Sequence, residues 1–340
     1  MLNQLPQKLL PWFEEHQRDL PWRRDREPYH IWLSEIMLQQ TRVEAVKGYY
    51  QRFLNRLPTI QALAAAEENE LLKLWEGLGY YSRVRNLQKA ARLIMTRHGG
   101  RFPETPEEIR ALPGIGAYTT GAISSICFDL PIPAVDGNVL RVITRLLAWD
   151  APITEEKTKK ETALRLEKIY PKGRCGDFTQ ALMELGATVC LPNGAPACES
   201  CPLADLCQAR QRGTQLSYPV KEKKKPRKQE ERTVFVLRRG EKTAVCKRPD
   251  RGLLAGLWQL PDAEGKLTVA QMLEQAERWG VHPKNIRKTV ARTHIFTHVQ
   301  WNLTGCYLDC GEEGDFFWVT REELEEKIGL PTAYRQFLEE

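Results

Sequence analysis

Apolar residues recur every three or four positions along most of the first part of the chain, and this period predicts helices up to about residue 212. Residues 63–75 and 84–98 show the spacing clearly, which predicts helical structure in both runs. The second run is followed by Gly99 and Gly100, which favour the end of a helix. The pattern therefore predicts a helical first region.

Two further helices carry start signals. Thr105 precedes Pro106, and Glu108 follows three positions after Thr105, which is the arrangement of a capping box. A long helix is expected after Thr154, because the acidic residues that follow it suit the positive end of a helix dipole. The sequence shows no internal repeat.

Beyond residue 231 the pattern changes to short runs rich in β-branched and aromatic residues. Residues 233–237 and 243–247 flank Gly240 and predict a hairpin. Thr268 and Thr320 each begin a sequence typical of a capped helix. This change of pattern indicates a separate α+β domain.

These patterns divide the chain into a helical domain over residues 1–215, a basic linker over 216–231 and an α+β domain over 232–340. A chain of 340 residues is long for one core, so two domains are expected. Residues 221–228 have the sequence KEKKKPRK. A charged run with a proline favours an exposed linker, although it could also follow a line of phosphates.

The overall charge adds a weak indication of partner. The formal net charge is +6 and the isoelectric point about 8.8, which is compatible with nucleic acid but not diagnostic of it. The first residues lack the pattern of a signal peptide, and no apolar run approaches the length of a membrane helix. We therefore expect a cytoplasmic protein with no membrane partner, whose nine cysteines do not form a disulfide framework.

A glycine-rich turn separates two of the predicted helices. Residues 112–116 have the sequence LPGIG, and a helix is expected from about residue 117. Gly114 and Gly116 allow a tight turn and leave backbone amides exposed at a helix N-terminus, which suits a phosphate oxygen. The string alone is equally compatible with a plain turn between helices.

Two carboxylates lie in contrasting sequence environments. Glu35 interrupts the nearly apolar run IWLSEIML over residues 31–38, so it lies either on a helix surface or partly desolvated, where its pKa would rise. Asp136 precedes a predicted helix and suits an N-cap, a position that should keep it ionised. One protonated and one ionised carboxyl group is the arrangement that cleaves glycosidic bonds. In that reaction Glu35 would be the general acid and later the base, and Asp136 would stabilise or capture the sugar cation.

Four of the cysteines form a cluster in sequence. Cys190, Cys198, Cys201 and Cys207 have the spacing C-x7-C-x2-C-x5-C. By spacing alone, four thiolates suit either tetrahedral zinc or a 4Fe–4S cluster. The other five cysteines are scattered and are expected to be buried as small apolar residues.

Several strings, taken together and in order, resemble one family. They are LPWR at 20–23, SEIMLQQT at 34–41, WEGLGYYSR at 75–83, LPGIG at 112–116, VDGNV at 135–139 and QALMELGA at 180–187. In this order they resemble the MutY family of adenine DNA glycosylases, within the endonuclease III or helix-hairpin-helix superfamily. The resemblance spans the first region. It implies an α-helical helix-hairpin-helix glycosylase domain with an iron–sulfur cluster loop, plus a C-terminal α+β domain that is MutT-like (Nudix-like).

The resemblance also implies an activity. Members of this family are monofunctional base excision repair enzymes that flip adenine out of double-stranded DNA and hydrolyse its N-glycosidic bond when it is mispaired with 8-oxoguanine or guanine. It implies one 4Fe–4S cluster on the four cysteines, although the family usually has six residues in the first gap where this chain has seven. A monomer is expected, in a bacterial cytoplasm and associated with the nucleoid.

The resemblance assigns roles to individual residues. Glu35 and Asp136 form the catalytic pair, and Asn138 is a further catalytic residue. Tyr118 lies where bifunctional relatives have a Schiff-base lysine. Strand cleavage through an imine is therefore not expected. Tyr118 would instead help to orient the carboxylates. The residues inserted into the base stack would be Gln40 and Tyr80. The remaining residues implied to contact the base or DNA are Trp22, Arg23, Leu38, Thr41, Gly114, Gly116 and Gln180.

The C-terminal domain resembles the MutT-like domain of the same family, most clearly over residues 248–261. Residues 269–280, VAQMLEQAERWG, lack the acidic run that binds Mg²⁺ in MutT hydrolases, so no nucleotide hydrolysis is expected. Phe296, Thr297 and His298 match the family's Phe-Ser-His loop, which recognises 8-oxoguanine. Because threonine replaces serine, the preference for 8-oxoguanine over guanine is less firmly implied than adenine removal. Without the resemblance, a strand with a half-buried Phe296 is the simpler interpretation.

Three other functions are alternatives to a monofunctional adenine glycosylase. A bifunctional endonuclease III-like glycosylase would require a lysine near Tyr118. A non-catalytic metal-binding DNA module would have no use for the pair of Glu35 and Asp136. A thymine-mismatch glycosylase is the closest alternative, and the presence of the C-terminal domain argues against it.

Overall fold

The structure is a computed structural model that describes residues 1–222 and 226–338. It contains two compact units: unit 1 comprises Met1–Ala65 and Arg85–Lys223, and unit 2 comprises Ala66–Val84 and Lys224–Glu340. Residues 223–225 of the predicted linker lie outside the described residues. Within the described residues, no helix is both long and apolar enough to cross a membrane.

The first 222 residues are helical. Their helices are α1 (Leu5–His16), α2 (Pro28–Leu38), α3 (Val43–Arg56), α4 (Ile60–Ala65), α5 (Glu68–Leu74), α6 (Ser82–Arg97), α7 (Pro106–Ala111), α8 (Ala117–Phe128), α9 (Gly137–Leu147), α10 (Glu156–Glu167), α11 (Cys175–Thr188) and α12 (Gln208–Gln211). Helix α5 and the first turn of α6 belong to unit 2, although the sequence placed them in the first domain. The other helices belong to unit 1.

One predicted helical run is divided into two helices. Residues 63–75 form parts of two helices, α4 and α5, because Glu67 has extended backbone angles (φ −70°, ψ 142°) and begins a new helix. The break also falls where the chain passes from unit 1 to unit 2. Apolar spacing continues across the break, so periodicity alone could not reveal it.

The other helix signals agree with the structure. Helix α6 ends before Gly99 and Gly100, which both have positive φ angles. The Thr105 hydroxyl accepts a hydrogen bond from the Glu108 amide at 3.4 Å and caps α7. Helix α10 begins at Glu156, as expected from the acidic residues after Thr154.

Helix α11 lies at the centre of unit 1 and packs against α1, α8 and α9. Their shared core contains Leu5, Leu9, Phe13, Val142, Ile143, Phe178, Leu182 and Leu185. Gly186 of α11 allows the closest approach, because a Cβ atom there would lie 2.5 Å from Cβ of Asn138. The start of α9 is therefore held directly against α11.

Unit 2 contains a mixed sheet with helices on both faces. Its strands are β1 (Lys228–Arg239), β2 (Lys242–Lys247), β3 (Trp258–Gln259), β4 (Asp262–Glu264), β5 (Pro283–Ile295), β6 (Val299–Cys310) and β7 (Phe317–Val319). In the described residues the strand order is β3-β2-β1-β6-β5, and β4 pairs with β1 and β7 with β2. Strands β1 and β6 are parallel, and the other pairs are antiparallel. Further helices are α13 (Val269–Arg278), α14 (Arg321–Glu326) and α15 (Thr332–Arg335).

Alternate residues of β1 face opposite sides of the sheet. Val234 and Val236 join one core with residues of α14 and α15, and Phe235 and Leu237 join another with α13. The predicted hairpin at Gly240 is confirmed, since Arg239 pairs with Lys242. Reciprocal capping boxes begin α13 at Thr268 and α14 at Thr320. Strand β1 is longer than predicted and starts inside the predicted linker.

The close approach at Gly186 can be tested by comparison with Gly48 of α3. A Cβ at Gly48 would meet only the end of the flexible Arg52 side chain, at 3.3 Å. Alanine favours a helix over glycine by up to about 1 kcal/mol, so Gly48→Ala should leave stability unchanged or raise it. Gly186→Ala should instead lower the free energy of unfolding by about 1–3 kcal/mol, because it overpacks the contact with Asn138. Urea unfolding of the two full-length variants measures the difference, and equal midpoints would contradict the close packing.

Candidate active site

A cavity of about 400 Å³ in unit 1 brings together most of the residues that the sequence singled out. Its lining includes Trp22, Arg23, Glu35, Leu38, Gln40, Thr41, Tyr118, Asp136, Asn138 and Gln180. These side chains come from α2, α8, α9, α11 and the loops around them. The remaining predicted site residues lie in the hairpin, in unit 2 or in the cysteine loop.

Glu35 is buried in this cavity. Helix α2 is apolar on nearly all sides, so it is enclosed by its neighbours, and Glu35 is only 6% exposed. The Tyr118 hydroxyl donates a hydrogen bond to Oε2 of Glu35 at 2.6 Å. Burial raises the pKa of Glu35 to about 7, with the Asp136 charge adding to the rise and the Tyr118 bond and Arg23 charge opposing it. Near neutral pH, Glu35 can therefore both donate and accept a proton.

Asp136 is the N-cap of α9. Its carboxylate accepts hydrogen bonds from the Val139 amide and from Nδ2 of Asn138, both at 2.7 Å. Burial nevertheless raises the pKa of Asp136 above its ordinary value, while Val139, Asn138 and the Arg141 charge oppose the rise. The hydrogen bonds at the helix N-terminus favour the ionised form of Asp136 and so act against the effect of burial.

Asn138 links Asp136 to the rest of the fold. Its Oδ1 accepts a hydrogen bond from Nη2 of Arg141 at 2.8 Å. The same Arg141 nitrogen donates to the Gly186 carbonyl at 2.7 Å, and Nε donates to the Cys190 carbonyl at 2.7 Å. Arg141 thus fixes the start of α9 against α11, a role that no local sequence signal indicated.

Tyr118 lies in the first turn of α8, directly beside Glu35. Burial raises the pKa of Tyr118 well above its ordinary value, and the charges of Glu35 and Asp136 add to this effect. The phenol therefore keeps its proton and acts as a hydrogen-bond donor. A neutral phenol in this position can orient Glu35 but cannot form an imine.

Sequence reasoning missed Glu184, a third carboxylate in the cavity wall. Glu184 is fully buried and accepts hydrogen bonds from Nε and Nη2 of Arg18 at 2.7 and 2.8 Å and from Nη2 of Arg23 at 2.8 Å. Burial alone would raise its pKa, but the bonds from Arg18 and Arg23 outweigh burial and lower the pKa to about 2. A glutamate inside the apolar string ALMELGA, in a chain with an arginine-rich segment near residue 20, was the available signal.

The loop after α2 supplies another part of the cavity. Gln40 has a φ angle of 60°, which a non-glycine residue rarely adopts. The Thr41 amide donates to the Leu38 carbonyl at 3.2 Å and closes the turn. The turn therefore places Gln40 at an exposed edge of the cavity.

The hairpin between α7 and α8 lies in unit 1 but outside this cavity. Gly114 has a φ angle of 81°, and a Cβ there would lie 2.8 Å from Cβ of Asn86. Gly116 is the N-cap of α8, so the first amides of that helix follow it directly. This is the helix–turn–helix geometry that suits a phosphate oxygen.

Tyr80 and the loop of Phe296, Thr297 and His298 meet within unit 2. The Tyr80 hydroxyl and Oγ1 of Thr297 are 2.6 Å apart, although the two residues are far apart in sequence. Tyr80 is 47% exposed and has a φ angle of 48°. Phe296 is half-buried against Trp301, with ring centroids 4.9 Å apart, whereas Thr297 and His298 are exposed.

Four cysteine side chains line a second cavity in unit 1. Cys190, Cys198, Cys201 and Cys207 share it with apolar residues of α9 and α11. Nη1 of Arg145 lies 3.3 Å from Sγ of Cys190. In the described part of the chain, no group of three or more His, Cys, Asp or Glu residues is placed to hold a metal ion. Four soft thiol ligands around one cavity, with a guanidinium beside one of them, are a donor set that suits an iron–sulfur cluster.

Two family models match the chain. The family described as HhH-GPD superfamily base excision DNA repair protein matches residues 33–172, and the NUDIX domain family matches residues 233–340. The chain thus combines a helix-hairpin-helix glycosylase domain with a C-terminal Nudix domain, and both predicted domains are confirmed.

Comparison with curated relatives identifies the family within this superfamily. The chain is 36% identical to the adenine DNA glycosylase of Homo sapiens, over 86% of this chain and 64% of the human protein. It is 30% identical to the adenine DNA glycosylase of Buchnera aphidicola subsp. Schizaphis graminum, over 98% of this chain and 97% of that protein. The chain therefore belongs to the adenine DNA glycosylase family, as the sequence motifs predicted, and it spans just under two thirds of the human relative.

Two similar solved structures each match a little over three fifths of this chain. A thermostable thymine-DNA glycosylase matches 62% of this chain and 97% of its own, with a TM-score of 0.56 and 29% identity. A non-covalent endonuclease III–DNA complex matches 63% of this chain and 98% of its own, with a TM-score of 0.53 and 25% identity. These similarities support the helix-hairpin-helix fold.

The raised pKa of Glu35 predicts a specific pH dependence of stability. The folded state holds this proton up to about pH 7, whereas an ordinary glutamate releases it near pH 4.5. The wild-type chain should therefore lose stability as the pH rises from about 4.5 to 7. Glu35→Gln cannot ionise and should gain about 2–3 kcal/mol over the wild type across this window.

Urea unfolding at pH 5 and pH 8 measures this difference. Glu15→Gln, the same change at an exposed position, is the matched control. Parallel pH dependence in the wild type and in Glu35→Gln would contradict a raised Glu35 pKa in the folded state.

Proposed function

We propose that this chain is a monofunctional adenine DNA glycosylase that removes adenine mispaired with 8-oxoguanine or guanine in double-stranded DNA. The observation that carries the proposal is that Glu35, with a pKa of about 7, and Asp136 line one cavity together with Tyr118 and Asn138. Family membership supplies the substrate class. The chemistry of the side chains in the cavity supplies the mechanism.

The reaction begins with adenine swung out of the duplex and into the cavity. The Glu35 carboxyl donates its proton to N7 of adenine, so that the bond from C1′ to N9 breaks with both electrons passing to the base. Adenine then leaves as a neutral molecule. Positioned proton transfer of this kind accelerates a reaction by roughly 10²–10⁴.

The sugar left behind carries positive charge. Asp136 stabilises this oxocarbenium ion or bonds to C1′ through a carboxylate oxygen. The Glu35 carboxylate next accepts a proton from water, whose oxygen bonds to C1′ and yields the abasic site. Where Asp136 has bonded to C1′, that bond breaks as the water oxygen adds, and its electron pair returns to the carboxylate. The hydrogen bonds from Val139 and Asn138 orient Asp136 for this step.

Base recognition is assigned to Trp22, Arg23 and Gln180. All three line the cavity, and the hydrogen bond that Arg23 donates to Glu184 holds the guanidinium in place. The lining combines apolar side chains such as Leu20 and Met183 with many polar ones, so a base in the cavity can be both packed and hydrogen-bonded. Leu38, Gln40 and Thr41 would contact the DNA around the extruded nucleotide.

DNA is the proposed partner of both units. One similar solved structure is an endonuclease III–DNA complex. The amides after Gly114 and Gly116 would bind a backbone phosphate. In unit 2, Tyr80, Phe296, Thr297 and His298 would contact the base opposite the adenine. We further propose a monomer that acts in a bacterial cytoplasm, in association with the nucleoid.

One 4Fe–4S cluster is the proposed cofactor, held by Cys190, Cys198, Cys201 and Cys207. The cysteines come from the end of α11 and the loop after it, next to basic residues such as Arg210. Bound there, the cluster would supply structural order to this loop, and none of the steps above uses it.

A labelled duplex tests the activity directly. Adenine opposite 8-oxoguanine or guanine should be released, with strand scission only after alkali, because Tyr118 offers no amine. Glu35→Gln and Asp136→Asn should each lower the rate at least about 10²-fold. The rate should also fall as the pH rises above about 7, where Glu35 loses its proton.

Three outcomes would contradict this proposal. Scission without alkali would identify a bifunctional enzyme, and release of thymine rather than adenine from a mispair with guanine would identify a thymine-mismatch enzyme. Binding of DNA without release of any base would favour a non-catalytic module. Glu15→Gln, an exposed change of the same type, should retain full activity.

The cluster is tested by metal analysis. Purified protein should contain iron and acid-labile sulfide rather than zinc, with broad visible absorption. Cys198→Ser should remove most of the absorption, whereas Cys127→Ser, outside the cysteine cavity, should retain it. Stoichiometric zinc without sulfide would refute the cluster.

A further inference from the structure

Residues 66–84 are held by the C-terminal helices of unit 2 through Glu76. Oε1 of Glu76 accepts a hydrogen bond from the Leu330 amide at 3.0 Å and contacts Nη1 of Arg335 at 2.6 Å. Oε2 of Glu76 contacts Nζ of Lys73 at 2.7 Å. One carboxylate thus joins α5 and the turn after it to the segment that leads into α15.

Lys73 adds a second set of contacts. Its ammonium group donates to the carbonyls of Leu324 and Ile328, both at 3.2 Å, at the end of α14. The Lys73 and Glu76 side chains are only 19% and 10% exposed. A cation at the C-terminal end of a helix is favourable, and charge pairs with little exposure are screened less by solvent.

The backbones also approach closely. A Cβ atom at Gly329 would lie 3.0 Å from the Leu72 carbonyl oxygen. Side-chain and backbone contacts therefore agree that residues 72–76 are docked tightly. We call Lys73, Glu76 and Arg335 the clamp.

The clamp is connected to Tyr80 by a short, internally bonded loop. Trp75 donates from Nε1 to the Gly79 carbonyl at 3.0 Å, and Arg83 donates from Nη2 to the Leu78 carbonyl at 3.0 Å. The Arg83 guanidinium also lies over the Tyr80 ring, 5.4 Å from its centroid. At the exposed end of this loop, Tyr80 is in hydrogen-bond contact with Thr297.

We propose that Lys73, Glu76 and Arg335 are positioning residues that hold Tyr80 in register with Thr297, so that both side chains present one preassembled surface to the base opposite adenine. This inference rests on the proposed function and adds its positioning residues. The proposal gives α14 and α15 a role in discriminating the base opposite adenine, although neither helix carries the loop of residues 296–298. Without the clamp, Tyr80 would no longer be held at the Thr297 hydroxyl.

The experiment compares single-turnover adenine release from duplexes with 8-oxoguanine or guanine opposite the adenine. Glu76→Ala removes the acceptor of three partners, and Glu76→Gln keeps an acceptor for the Leu330 amide but removes the charge. The ratio of the two rates should fall about 2- to 30-fold in Glu76→Ala, the range expected when a coupling network is broken. Glu76→Gln should show a smaller fall.

A double-mutant cycle separates positioning from general destabilisation. Tyr80→Phe keeps the ring but loses the hydroxyl that contacts Thr297. If the clamp acts through this contact, Glu76→Ala should change the ratio much less on the Tyr80→Phe background than on the wild type. Additive effects on the ratio would overturn the inference.

The controls identify which claim fails. Arg321→Ala breaks an exposed pair with Glu325 in α14 and should leave the ratio unchanged. Hydrogen exchange in Glu76→Ala should rise at residues 76–83 and 296–298 while the bulk of unit 1 stays protected. An unchanged ratio and unchanged exchange in Glu76→Ala would refute the clamp, whereas a wild-type chain that releases no adenine would refute the proposed function instead.

Discussion

Burial of the Glu35 carboxylate is the constraint on which the candidate site depends. Removing a carboxylate from water favours its protonated form unless charges or several donors replace the water. Glu35 receives a hydrogen bond from the neutral Tyr118, and its pKa is raised to about 7. Glu184, in the same cavity wall, is bound by two guanidiniums, and its pKa falls to about 2. Neighbours rather than burial alone therefore decide which carboxyl group can exchange a proton near neutral pH.

Helix α9 organises the other half of the site. Its N-cap is Asp136, and the Arg141 and Arg145 guanidiniums, one turn apart, reach the chain around Cys190. Arg141 also bonds Asn138, which in turn donates to Asp136. Arg141 therefore joins the start of α9 to the chain at Cys190, whereas Arg145 bonds Cys190 and the carbonyls of Leu191, Gln215 and Tyr218. A substitution that displaces the Arg141 guanidinium must disturb both regions, because its donors are committed on two sides.

The sequence allowed the prediction of structural features that depend on residues close together in the chain. It did not allow the prediction of features that depend on contacts between residues far apart in the chain. Caps at Thr105, Thr268 and Thr320 depend on residues three positions away and were correct. The environment of Glu35 stayed open, because a uniformly apolar helix has no polar face to reveal which side meets solvent. The pairing of Glu184 with Arg18 and the membership of residues 66–84 in unit 2 depend on contacts far apart in the chain. The spacing of apolar residues along the chain carries no information about such contacts.

The Nudix domain illustrates how a fold can be retained while its surface chemistry differs. On α13 and just after it, Glu274 pairs with Arg278 at 2.6 Å and Glu277 with His282 at 3.0 Å. These carboxylates therefore contact basic side chains of the protein, a different arrangement from the acidic run that holds Mg²⁺ in MutT hydrolases. The loop that carries Thr297 is stabilised on the other side of the fold, where Phe296 packs on Trp301 and the Arg232 guanidinium lies over the same indole. The packing of Phe296 and Arg232 on one indole beneath the loop restricts the positions that the exposed Thr297 hydroxyl can take.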